Sequence, residues 1–172
     1  MNLAEMVRLD VIRPTLKRMG LSTTGNPFWS PEAEDLLLGT AAHESMGFMH
    51  RRQMGGGPAL GLWQMEPATH DDIWARYLSA NGRALVVNGL RSLLPSGVDP
   101  AARLLESNDI YACAMARIQY ARSTPFPIPK TLEEQAWYWD RWYNRNPEKG
   151  TPEEYVRSYR AHVLGPMEEK AV

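Results

Sequence analysis

His43 to Pro67 reads H-E-S-M-G-F-M-H-R-R-Q-M-G-G-G-P-A-L-G-L-W-Q-M-E-P. The stretch opens on a carboxyl, Glu44, at the end of an apolar helical run. A glycine-rich loop follows, then the block Gly61-Leu62-Trp63-Gln64. Helical steps back from Glu44 land on Ala41, Leu37 and Ala33, and Phe48 extends the same face. A carboxyl on an apolar face is expected to be partly desolvated. Desolvation favours the neutral acid, the form a general acid needs near neutral pH. The competing reading is a helix-terminal Glu turned to water, the usual place for that residue type.

Upstream, Ser30 is a good N-cap, Pro31 suits the first helical position, and Glu32 and Glu34 favour the positive helix end. These residues predict a helix through Leu36-Leu37-Leu38 to about Ser45. Before it, residues 3–19 have the spacing of an amphipathic helix that Pro14 should kink and Gly20 should stop. Residues 21–29 read as a loop. Together, residues 1–29 are expected to pack as an N-terminal helix and loop on the rest.

Downstream, residues 49–60 read as a loop with Gly55, Gly56 and Gly57 in succession. A P-loop is excluded by the missing Lys-Ser/Thr. Helices are expected over 68–79 and 83–94, broken at Asn81-Gly82. Further starts are expected at Asp99-Pro100, Asn108, Thr131 and Thr151, the last two as capping boxes. Pro125, Pro127 and Pro129 impose an extended connector. The aromatic centre is Trp137-Tyr-Trp-Asp-Arg-Trp-Tyr143. Trp137, Trp139 and Trp142 cannot share one helix face, so some are core and one is available to stack on a ligand. Residues 166–172 read as a loose tail. No strand alternation, repeat or linker appears. The expected fold is mostly α, one domain over 1–172, with room for a small β-hairpin in 49–63.

At 172 residues the chain is long enough to bury a real core. A formal net charge of -1 gives no basic field to draw nucleic acid or an anionic membrane. The lone Cys113, in Ala-Cys-Ala-Met-Ala, reads as a small buried hydrophobe and allows no internal disulfide. The first residues carry charges where a signal peptide needs an apolar run. Nor does any run approach the ~20 apolar residues of a membrane span. His43, His50 and His70 match no zinc spacing, since position 47 of a would-be H-E-x-x-H is Gly. A serine elbow fails too, because position 43 is His. No cofactor or metal is expected.

Glu44-Ser45 followed by Gly-Pro-Ala-Leu-Gly-Leu-Trp-Gln-Met-Glu-Pro resembles the signature of the lytic transglycosylase and goose-type lysozyme superfamily. Tyr143-Asn144 is similar to that family's downstream Tyr-Asn pair. The matched elements span roughly residues 36–160, and the run of the sequence resembles small phage and prophage members. The resemblance implies a lysozyme-like fold acting on bacterial peptidoglycan, at the β-1,4 bond between N-acetylmuramic acid and N-acetylglucosamine. Glu44 would be the acid and then the base, giving a 1,6-anhydro product. Tyr143 would point its hydroxyl at Glu44, a place Tyr138 could also take, and Asn144 would complete the pair. Ser45 would line the site, or else only bond the helix end. Gly61 belongs to the matched block, and Gln64 can both donate to and accept from a sugar acetamide. Trp63 and Met65 offer apolar surface beside it, or pack in the core.

A hydrolytic lysozyme would need a second carboxylate about 6.5–9.5 Å away if inverting. Glu66, Asp71, Asp72 and Asp140 are the choices. A non-catalytic virion or glycan-binding module is the remaining alternative. Made in a host cytoplasm without a signal peptide, such an enzyme would reach the wall through a holin or within a virion.

Overall fold

The computed structural model describes residues 1–19, 27–144 and 150–165. The expected stop at Gly20, much of the 21–29 loop and the tail after Gly165 lie outside the described residues. Helices dominate. Helix α1 covers 3–19, and Asn2 caps it by accepting from the Glu5 N–H. Its turns widen over Val7–Ile12, where the Arg13 N–H bonds to the Arg8 carbonyl five residues back. A proline ring inside a helix crowds the carbonyl four residues behind it. The wide turn takes up Pro14 there instead of a break.

Helix α2 is Pro31–Glu44, with the Ser30 side chain accepting from the Ala33 N–H. Helix α3 spans 67–78, α4 is Ala84–Ser92 and α5 is the short Leu104–Ser107. Helix α6 is Asp109–Ser123, capped by Asn108. Helix α7 spans 132–144 after Thr131. Helix α8 spans 152–164 behind the complete Thr151–Glu154 capping box. The expected start at Asp99-Pro100 does not form. Asp99 accepts from Arg91 at 3.4 Å, and the first helical residue is Leu104.

Helix α2 is the centre of the molecule. Residues from Leu36 through Ala42 are all buried, so the apolar surface runs round the helix rather than along the expected face. That is the pattern of a core helix. Helix α8 packs along it most closely at Gly39. A Cβ there would lie 2.2 Å from the Tyr155 hydroxyl oxygen. That hydroxyl donates to the Leu36 carbonyl at 3.1 Å. Helices α1, α6 and α7 complete the surround. Cys113 is buried in α6, as expected.

The β-hairpin reduces, among the described residues, to isolated bridges pairing Arg52 with Leu60 and Leu60 with Met65. Three consecutive glycines at the tip cannot sustain a ladder. The bridged loop still closes through Gly61 N–H to the Arg51 carbonyl at 2.8 Å and Leu60 N–H to the Met65 carbonyl at 3.0 Å. No described helix is long and apolar enough to cross a membrane.

Candidate active site

Glu44 is the last residue of α2, and the turn behind it fixes where it points. The Gly47 N–H reaches back to the Ala42 carbonyl at 2.8 Å, and the Met46 N–H to the His43 carbonyl at 3.3 Å. This is the paired bonding of a Schellman end. Its left-handed position is filled by Met46, with φ 52°, and Phe48 follows at φ 68°. A left-handed side-chain-bearing residue costs roughly 1–2 kcal/mol. Ser45 holds this turn. Its hydroxyl donates to the Ala41 carbonyl at 2.6 Å and accepts the Phe48 N–H at 2.9 Å. Ser45 is wholly buried. It therefore plays the helix-end part and does not line a site, because both of its hydrogen-bonding directions are taken by backbone.

A cleft of about 490 Å³ opens beside Glu44. The glycine loop supplies one wall through Gln53, Met54 and Ala59, continued by Gln64, Met65, Glu66 and Thr69. Gln119 and Arg122 of α6, with Tyr143 and Asn144 of α7, supply another. Of the residues singled out in the sequence, Glu44, Gln64, Met65, Tyr143 and Asn144 thus meet in one cavity.

Gly61 and Trp63 do not join them. Gly61, at φ 76°, is buried where a Cβ would lie 2.2 Å from the Leu105 carbonyl oxygen, so its place in the block is steric. Trp63 is buried and its indole N–H donates to the Leu37 carbonyl at 2.9 Å. It is a core strut rather than a sugar platform. Gln64, at φ 45°, donates its Nε2 to the Gly61 carbonyl at 2.8 Å. That bond aims the carboxamide along the cleft wall. Met65 keeps 4% of its surface, on the cleft side.

Trp139 donates to Glu44, its Nε1–H meeting Oε1 at 2.9 Å. The Tyr143 hydroxyl instead donates to the Trp63 carbonyl at 2.7 Å, a direction different from the one the resemblance implied. Tyr143 still sits close to the acid. Burial first, and then the Glu44 carboxylate, push its phenol well above its ordinary range. It keeps its proton and cannot act as a base. Tyr120 stacks on it, with ring centroids 5.0 Å apart. Tyr138 is buried elsewhere and donates to the Phe126 carbonyl at 3.1 Å, so the cleft position belongs to Tyr143. Asn144 is tied to the Asp140 carboxylate at 3.3 Å and the Gly150 carbonyl at 3.2 Å.

Among the described residues, the carboxylates lining the cleft are Glu44 and Glu66. Asp72 is bound by Arg122 at 2.5 Å and Arg76 at 3.0 Å. The Arg122 hydrogen bond is the main reason its carboxyl stays below the ordinary range. Asp71 bonds His70 at 2.8 Å, and Asp140 faces Asn144.

In the sequence Trp139 reads only as core or as a stacking surface, with no link to Glu44, and neither Gln119 nor Arg122 stands out. The signal for Trp139 was its spacing: it lies four residues before Tyr143, on the same helix face. Gln119 and Arg122 lie on a helix 75 or more positions along the chain from Glu44, and no local pattern joins them to it. No protein-family model, curated protein or solved structure matches this chain.

Proposed function

We propose that this protein is a lysozyme-like, phage-associated enzyme that cleaves the N-acetylmuramic acid–N-acetylglucosamine bond of peptidoglycan. The supporting observation is Glu44: a carboxyl at a buried helix end, beside a cleft of about 490 Å³ and fixed by an indole N–H. That volume lies in the usual range for small-molecule sites, about 300–1,000 Å³. The walls combine amide groups, a phenol and apolar methionine surface, a mixture suited to an N-acetylated sugar.

Glu44 protonates the bridging oxygen as the bond to C1 breaks. The resulting carboxylate takes the proton of the muramic acid 6-hydroxyl, whose oxygen bonds C1. The product carries a 1,6-anhydro ring, and Glu44 ends protonated as it began. No water is consumed and no second carboxylate is needed. The attacking hydroxyl is already on the reacting molecule, an intramolecular advantage.

A second reading rests on Glu66, which lines the same cleft. A carboxylate there would activate water for hydrolysis. Reducing ends would then replace anhydro ends. The test is a peptidoglycan digest with wild type, Glu44→Gln and Glu66→Gln. The transglycosylase reading expects Glu66→Gln to remain active and Glu44→Gln to lose activity. A wild-type protein that binds glycan but releases nothing would identify a non-catalytic module instead.

A further inference from the structure

Trp139 is buried completely, yet its indole nitrogen reaches the carboxyl at the cleft. Its ring is clamped. His43 meets it edge-on with centroids 4.6 Å apart, and Tyr155 lies tilted against it at 5.4 Å. His43 is itself held, its Nδ1 lying 3.1 Å from the Ser158 hydroxyl. On the remaining side Gly150 comes close: a Cβ there would lie 3.2 Å from the far edge of the indole and 3.0 Å from His43 Nε2. Gly150 has φ 139°, a backbone that side chains rarely adopt. A rigid donor aimed at one carboxylate oxygen has two effects. It restricts the rotamers of the acid, and it favours the ionised form.

We propose that Trp139 is the positioning residue of Glu44, its N–H holding the carboxyl in the cleft and stabilising it as the base of the second half-reaction. The proposal rests on the wall-cleaving reading. The donor matters most when Glu44 has given its proton away and must take one from the 6-hydroxyl. A charge-assisted bond in a buried setting is stronger then than when the acid is neutral.

Among the described residues, other titratable groups lie around Glu44. His43 precedes it on α2, pushed down by burial. Tyr143 on α7, Tyr120 on α6 and Tyr155 on α8 each sense its charge and, being pushed up chiefly by burial, stay neutral. Across the cleft lie Glu66, His50, Arg52 and Arg122. Two of these are tied elsewhere: Arg52 to Glu106 at 2.6 Å, and Arg122 to Asp72. None of these groups changes when the indole N–H alone is removed.

The test is Trp139→Phe, together with benzothienylalanine placed at position 139. The second keeps the bicyclic shape and replaces the N–H by sulfur, so it reads the bond even if Trp139→Phe misfolds. The expected result is a fall in kcat of about 10- to 100-fold with KM little changed. The alkaline limb of the kcat/KM profile moves to higher pH, because losing the donor favours the neutral acid. The Glu44 carboxyl signal, assigned by ¹³C NMR against Glu44→Gln, titrates at higher pH in the substituted protein. A folded variant that loses activity while both the limb and the NMR midpoint stay in place overturns the proposal. If the wild type does not cleave peptidoglycan, the functional reading falls, and the NMR midpoint alone decides whether Trp139 governs Glu44.

Discussion

Helix α2 carries two glutamates that each receive an indole N–H, and their surroundings differ. Glu34, near the start, accepts from Trp29 at 2.7 Å and from both nitrogens of an Arg13 fork at 2.8 Å, with Arg8 at 3.7 Å. Its side chain is 2% exposed. Burial alone would push that carboxyl up. The Arg13 and Trp29 hydrogen bonds, with the Arg13 and Arg8 charges, outweigh it and hold the carboxyl below its ordinary value. Glu44, at the other end, accepts from Trp139 and lines a cleft. The same donor type thus serves a sealed ion-pair cluster at one end and a carboxyl within reach of a ligand at the other. A buried charge matched by two guanidiniums fastens α1 to α2. A carboxyl beside a cavity can exchange a proton.

Substituting each glutamate in turn separates the two ends of α2. Glu44→Gln keeps the shape and hydrogen-bonding surface of the acid but cannot donate a proton to the leaving oxygen. Wall-degrading activity should fall by about 10²–10⁴-fold while the melting temperature stays near that of the wild type. Near wild-type activity in purified, folded Glu44→Gln would show that Glu44 is not the acid.

Glu34→Gln should do the reverse. Stability drops by about 1–3 kcal/mol, since charge-assisted bonds are lost while Arg8 and Arg13 can turn to water. Cleavage per folded molecule is unchanged. The pH dependence follows the same residue. Its folded-state value lies below its ordinary value of 4.5, so its contribution is present above that pH and fades as pH falls through the depressed value. Melting temperature against pH should therefore steepen on the acid side in the wild type and flatten in Glu34→Gln. Parallel curves would remove Glu34 from the account.

The smallest effect concerns the turn behind Glu44. Met46→Gly relieves a left-handed side-chain-bearing position but adds freedom to the unfolded chain. The net gain in stability should be below about 1 kcal/mol by urea unfolding. A marked loss instead would mean that the exposed Met46 side chain anchors the turn.

Much of the helical frame is legible because caps are local chemistry. Ser30, Asn108 and Thr151 each place a side-chain oxygen on an N–H three residues on, and each opens a helix. Asp99 caps nothing: its carboxylate points to water with one long contact to Arg91, and the next helix begins at Leu104. Glu44 at a helix end is visible in the sequence for the same reason, whereas Tyr143 stands out there only through the family resemblance. The individual duties of the motif residues are not visible there. Ser45 and Trp63 each read two ways in the sequence, and the choice of helix end and core, like the close approach of Gly61 to Leu105, is made by packing. The Trp139 bond to Glu44 spans 95 positions and exists only because α7 packs against the end of α2. Short-range chemistry fixes where elements begin, while tertiary packing decides which side chains reach the cleft.

On the proposed mechanism, Glu44 serves in turn as acid and base with no second carboxylate. Mass spectrometry of muropeptides released from purified peptidoglycan tests it most directly. The expected fragments end in 1,6-anhydromuramic acid, each lighter by one water than a reducing product. Release of reducing muramic ends alone, with activity lost on Glu66→Gln, would contradict the mechanism.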